Sequence, residues 1–255
     1  MKRLPVFVYG LLSYAVSLAV FLYAAGFMIN LWVPRSMDSP RVVSLTTALL
    51  TDLGLLALFA VQHSVMARPA FKRWWTRFIP EAAERSTYVL VSSLALMLVF
   101  WLWQPLGGVI WAIDAPAGVN TMYAAYAAGW LLLLYSTFLI NHFDLLGLRQ
   151  VWLHLRGKHY TPVPFRSPWL YRQVRHPLYV GWLMIFWATP VMTVTHLVFA
   201  LMTTAYILVA LRFEERDLMN QHPEYAEYRR QVPMLIPFRR VARPARPMAS
   251  KAAGG

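Results

Sequence analysis

The chain alternates long apolar runs with shorter polar, basic connections. The apolar segments cover roughly residues 5–32, 43–66, 87–103, 120–141 and 178–213. Each of the first four suits one helix across a hydrocarbon core, which takes about 20 residues. The fifth is too long for one crossing and carries Thr189-Pro190 near its middle. Proline removes a helix hydrogen bond and biases its predecessor away from helix. Segment 178–213 is therefore either one kinked helix or a helical hairpin. The pattern predicts an all-α fold, a polytopic integral membrane helical bundle. It has four spans plus the C-terminal kinked helix or hairpin, roughly five to six membrane helices.

Composition agrees with the pattern. Apolar residues make up 58% of the 255 and charged residues 14%, against about 25% charge in a soluble domain. Mean hydropathy is +0.46. The absence of cysteine excludes disulfides, thiolate–zinc sites, iron–sulfur clusters and a cysteine nucleophile. Met1-Lys2-Arg3 looks like the start of a signal peptide, but the apolar run behind it is too long for one and reads as a retained first span.

The net charge of +13 would suit nucleic acid, yet the basic residues flank the apolar runs, where membrane topology places them. If 178–213 crosses twice, alternation puts every Lys and Arg except Arg35 and Arg41 on one side. Positive residues favour the cytoplasmic side, so the hairpin is preferred. The N-terminus, the loops 67–86 and 142–177 and the C-terminal tail are then cytoplasmic. From about Arg239 the chain mixes Arg, Pro, Ala and Gly, which predicts a disordered basic tail, 239–255, behind a single domain, 1–238.

The chemistry is expected on that basic face. No glycine-rich phosphate loop, HExxH or nucleophile elbow occurs, and the seven histidines are too scattered for a di-iron site. No metal is expected. Loop 142–177 is long and aromatic, and loops of that length in a compact protein are usually functional. It ends in Tyr171-Arg172-Gln173-Val174-Arg175-His176-Pro177-Leu178-Tyr179-Val180-Gly181, and Arg212-Phe213-Glu214-Glu215-Arg216-Asp217 follows the apolar run. The two ends of a hairpin lie close, so the Arg-His-Pro and Glu-Glu elements should meet at the membrane surface. A zwitterionic, sulfonium-bearing cofactor such as S-adenosylmethionine suits such a pocket. Carboxylates would take its amino group, Arg or His its carboxylate, and tyrosine would face the sulfonium. The same residues also fit a basic and aromatic anchor at the interface.

Arg175-His176-Pro177-x-Tyr179-x-Gly181, the hairpin-length apolar run, Glu214-Glu215 and Glu224-Tyr225-x-x-Tyr228-Arg229 resemble the isoprenylcysteine carboxyl methyltransferase superfamily. The resemblance implies that about 142–238 binds S-adenosylmethionine, with Tyr171, Arg175, His176, Tyr179, Glu214 and Glu215 as the cofactor residues. In the N-terminal half, Gln62-His63-Ser64-x-Met66-Ala67-Arg68-Pro69 and Glu84-Arg85-Ser86-x-Tyr88 look like the NnrU-like branch. Together with Val33-Pro34-Arg35-Ser36-Met37-Asp38 and Phe71-Lys72-Arg73-Trp74-Trp75, they are most similar to bacterial methanethiol S-methyltransferases. That resemblance implies conversion of a small volatile thiol, methanethiol, to dimethyl sulfide at the cytoplasmic face of a bacterial inner membrane.

A thiolate is the competent nucleophile, so the site needs a base or a field that favours deprotonation. His63, Asp144 and His154 are the candidates. Asp52, inside the second span and nearer its outer end, reads as structural. Two other functions fit the residues less closely. One is a carboxyl methyltransferase acting on a lipid or a prenylated cysteine. The other is a haem-binding electron-transfer protein with ligands among His63, His142 and His196; a nicotinamide-dependent reductase is a further option.

Overall fold

The computed structural model describes residues 3–237, so the basic tail 239–255 lies outside the described residues. The order is α1 (Arg3–Met28), α2 (Leu45–Ala67), α3 (Pro69–Trp75), α4 (Glu81–Leu102), β1 (Val109–Ala112), α5 (Pro116–Ile140), α6 (His142–Leu145) and α7 (Leu148–Leu155). After a 3-10 turn at Trp169–Arg172 come α8 (Pro177–Trp187), β2 (Val191–Thr193), α9 (Val194–Gln221) and α10 (Tyr225–Gln231). Among the described residues, α1, α2, α4, α5 and α9 are long and apolar enough to cross a membrane. The protein is a multi-pass integral membrane protein.

Local chemistry explains where the helices start. Pro69, Pro116 and Pro177 stand at first helical positions, where a missing N–H costs nothing. Ser44 caps α2 by accepting from the Thr47 N–H, and Thr193 caps α9 by accepting from the His196 N–H. Helix α4 begins at Glu81, earlier than its apolar run, because Glu81 and Glu84 in its first turn suit the positive end of the helix dipole.

Segment 178–213 is a hairpin. Helix α8 stops at Trp187, and β2 pairs antiparallel with β1, with Ala112 opposite Val191 and Val109 opposite Thr193. This small sheet ties the α4–α5 connection to the α8–α9 turn, so both lie at one end of the bundle. Arg35 and Arg41, at that end, donate to the carbonyls of Trp101 and Leu106. Asp52 is buried there and accepts from the Gln104 N–H at 2.8 Å, which fits a structural role.

Helix α8 packs along α5 at a point where neither helix has a side chain. A Cβ on Gly181 would meet the Gly129 carbonyl oxygen and the Leu133 nitrogen at 2.9 Å, and one on Gly129 would meet the Gly181 oxygen at 3.0 Å. The glycine of the Arg-His-Pro-x-Tyr-x-Gly element is therefore a backbone contact. The main core lies beside this seam, with Phe27, Phe100, Ile185, Phe199 and Leu211 fully or almost fully buried.

Candidate active site

At the opposite end from the sheet, the start of α8 meets the last turns of α9 and helix α10. Glu215 is the centre. Its Oε1 accepts from Arg175 Nε at 2.6 Å and lies 3.0 Å from His176 Nε2; its Oε2 pairs with Arg229 Nε at 3.1 Å. The Tyr225 hydroxyl donates to Oε1 at 3.4 Å. Arg175 continues the tie by donating through Nη1 to the carbonyls of Arg229 and Val232. Backbone bonds from Arg175 N–H to Pro233 and from His176 N–H to Met234 close the same junction. Glu215 and His176 are buried, and every charge in the cluster faces a partner.

Glu214, the next residue on α9, is used differently. Its Oε2 accepts from the Tyr179 hydroxyl at 2.7 Å, and its Oε1 has no hydrogen-bond partner among the described residues. Tyr171 is buried in the turn before α8 and donates to the Ser136 carbonyl, while its own carbonyl accepts from the Tyr228 hydroxyl. Burial raises the Tyr171, Tyr225 and Tyr228 phenols above their ordinary range, so all three remain neutral hydrogen-bond donors. The six residues expected at the cofactor end thus converge on one junction.

The three candidate bases do not share one place. His63, on α2, stacks against Phe59 at 5.3 Å and lies 2.8 Å from the Tyr88 hydroxyl through Nε2. Its Nδ1 is 3.2 Å from Ser92 Oγ. Tyr206 of α9 packs beside it and bonds Ser64. His63 therefore stands between α2, α4 and α9, the helix that carries Glu214. Asp144 is held by Arg149 at 2.8 Å and by the Tyr160 hydroxyl at 3.2 Å. With His154 it lines a separate cavity of about 690 Å³, between the first turn of α4, the end of α5, and α7. Arg85 joins the two regions: it lines the cavity and places its guanidinium 4.9 Å over the Tyr88 ring.

His142 and His196 are committed to packing. The Thr137 hydroxyl donates to Leu134, so it accepts from His142 Nδ1–H, and Nε2 then accepts from Tyr14 at 2.9 Å. His196 donates through Nε2 to the Phe186 carbonyl. Both nitrogens of His142 are thus taken, which leaves that ring nothing to offer an axial haem iron.

Sequence reading left Arg229, Tyr225 and Tyr88 off the site. Arg229 and Tyr225 stand four residues apart in a helix, so they share a face, and the Glu224-Tyr225-x-x-Tyr228-Arg229 spacing carried that signal. Tyr88 is paired with His63 only by the packing of α2 on α4, which no local spacing reveals.

The chain is 59% identical over 239 residues to the methanethiol S-methyltransferase of Crocosphaera subtropica, covering 93% of this chain and 94% of that relative. It is 52% identical over 239 residues to the methanethiol S-methyltransferase of Mycobacterium tuberculosis, covering 93% and 98%. Nurim of Sus scrofa is 33% identical over 196 residues, covering 73% and 72%. No family model matches the chain, and no solved structure does.

Proposed function

Because the chain belongs to the methanethiol S-methyltransferase family, we propose that it methylates methanethiol to dimethyl sulfide at a site open to the cytoplasmic face of a bacterial inner membrane, with S-adenosylmethionine as donor. The observation that carries this reading is the convergence of Tyr179 and Glu214 beside the Arg175–His176–Glu215 clamp, in a chain whose likeness to those enzymes runs nearly end to end. The distribution of Lys and Arg supports the cytoplasmic orientation.

The residues fit the donor. Glu214 has an oxygen open to an ammonium group, and Tyr171 and Tyr179 offer neutral aromatic faces for a sulfonium. Glu215, Arg175 and His176 hold the wall on which those groups stand. When bound, the donor supplies an electrophilic methyl on a positively charged sulfur.

The chain's own task is to deliver a thiolate in line with that methyl. His63 takes the thiol proton, with Tyr88 and Ser92 orienting the ring and the stack on Phe59 fixing its plane. A new carbon–sulfur bond forms to the acceptor as the donor's carbon–sulfur bond breaks, with the electron pair left on the donor sulfur. The products are dimethyl sulfide, S-adenosylhomocysteine and one proton, now on His63. Opposite charges cancel in this step, so the apolar wall that Phe59 and Tyr206 form beside His63 favours it. Positioning supplies much of the remaining acceleration. The thiol is small and apolar enough to arrive through the bilayer.

Headspace gas chromatography over membranes carrying the protein, given methanethiol and methyl-labelled S-adenosylmethionine, tests the reading. Labelled dimethyl sulfide above empty membranes is the expected result. A folded protein that binds the donor and releases none would overturn the acceptor.

A further inference from the structure

The cavity beside α7 has two features that the reaction site does not use. Gln150 Oε1 and His154 Nε2 are both buried without a hydrogen-bond partner, and both residues line the cavity. They are four residues apart in α7, so they stand one turn apart on one face. A buried polar group left unsatisfied carries its full desolvation penalty. The Gln150 amide is not free to turn over, because its Nε2 donates to the Asp144 carbonyl at 3.0 Å. That bond fixes Oε1 as an acceptor waiting for a donor, beside an imidazole nitrogen able to pair with an acceptor.

The rest of the wall narrows the ligand. Lys72, Arg85 and Lys158 are matched by Glu81, Glu84 and Asp144. A cavity so balanced does not favour a phosphate or an anionic headgroup. It favours a neutral, hydrogen-bonding body, and the carboxylates can accept from hydroxyl groups. A volume of about 690 Å³ lies within the ordinary range for small-molecule sites. A purine bearing an exocyclic amine next to a ring nitrogen matches the acceptor-and-imidazole pair on α7. The cavity also adjoins the proposed reaction site through Arg85, which stacks on the Tyr88 ring.

We propose that this cavity receives the adenosine portion of the methyl donor, with Gln150 accepting from the purine amine and His154 pairing with a purine ring nitrogen. The inference rests on the donor being an S-adenosyl compound. It assigns His154 to recognition of the donor and leaves proton removal to His63.

The test is calorimetric titration of the full chain in detergent with S-adenosylhomocysteine and with S-inosylhomocysteine, in which the amine is replaced by a carbonyl oxygen. The wild type is expected to prefer the adenosyl compound by about tenfold or more. Gln150→Met should reduce that preference to about twofold while keeping the wild-type unfolding midpoint. His154→Leu, a second variant in case the first misfolds, should weaken the adenosyl compound by about tenfold. Wild-type preference retained in folded Gln150→Met would overturn this inference and leave the methyl-transfer reading intact. Failure of the folded wild type to bind S-adenosylhomocysteine would overturn both.

Discussion

Arg175 Nε and Glu215 Oε1 lie 2.6 Å apart, joining residues 40 positions apart in sequence across the mouth of the α8–α9 hairpin. Both side chains are almost withdrawn from solvent, at 9% and 6% exposure. A buried pair of this kind adds little net stability over an apolar substitute, because both ions have lost their hydration. Its consequence lies elsewhere. With both ions buried, only a geometry that keeps them together is tolerable, and that geometry sets the register of α8 against α9. Glu214 is adjacent to Glu215 in the same helix, so the clamp also determines where the Tyr179–Glu214 pair stands.

Glu215→Ala should therefore damage the fold more than it damages any single contact. It leaves Arg175 buried without its counter-charge, which costs about 3–5 kcal/mol. The thermal unfolding midpoint in detergent is expected to fall sharply. Glu214→Ala should leave that midpoint nearly unchanged while donor affinity falls by about 2–5 kcal/mol, as for a truncated charged contact. Calorimetry on the two variants separates the clamp from the contact. Equal loss of stability in both would show that the pair acts as one unit.

Gly181→Ala tests the α5–α8 seam. The added methyl would sit 2.9 Å from the Gly129 oxygen and the Leu133 nitrogen. These are backbone atoms and cannot turn aside as a side chain would. Overpacking of this kind costs about 1–3 kcal/mol, and the shift should move Tyr179 with its helix. Lower unfolding temperature together with weaker donor binding is expected. Unchanged values for both would mean that the helices separate freely.

Much of this architecture is legible in the sequence because a bilayer demands it. Apolar runs reported α1, α2, α4 and α5 to within a few residues, and the charge distribution favoured the hairpin that β2 and Pro190 now make explicit. The end of α9 was harder to read. Glu214, Glu215 and Asp217 look like a polar tail by hydropathy, yet they continue the helix to Gln221, where Arg175 and Arg229 meet the charge of Glu215, Arg68 meets that of Asp217, and the Tyr179 hydroxyl donates to Glu214. The meeting of Arg175 with Glu215 followed from hairpin logic. The Tyr88–His63 contact, and the α7 cavity that gathers Asp144 with His154, depend on packing between distant segments and leave no local periodicity.

His142 gives a pH prediction. Burial lowers its imidazole below the ordinary value, and the ring is held neutral between Thr137 and Tyr14. In the unfolded chain it takes up a proton near pH 6.5; in the folded protein it resists. The unfolded state then binds more protons below that pH, so stability falls as pH drops through about 6.5. Between about pH 7.5 and 5.5 the wild-type unfolding midpoint should decline more steeply than that of His142→Phe. Parallel declines would assign the acid sensitivity to other groups.

His63 and Tyr88 provide the decisive test of the chemistry. If His63 removes the thiol proton, His63→Ala should lower turnover by about 10²–10⁴-fold, the usual worth of a positioned general base. Donor affinity should hardly change, because the ring is bonded to Tyr88 and Ser92 and makes no contact with Glu214. Tyr88→Phe removes the hydroxyl that orients Nε2 and keeps the ring beneath Arg85, so a smaller loss of turnover is expected. Raising the pH supplies thiolate from solution and should partly restore His63→Ala but not a variant that fails to bind the donor. Turnover of His63→Ala equal to wild type at neutral pH would remove His63 from the mechanism and return the proton to the Asp144 side of the molecule.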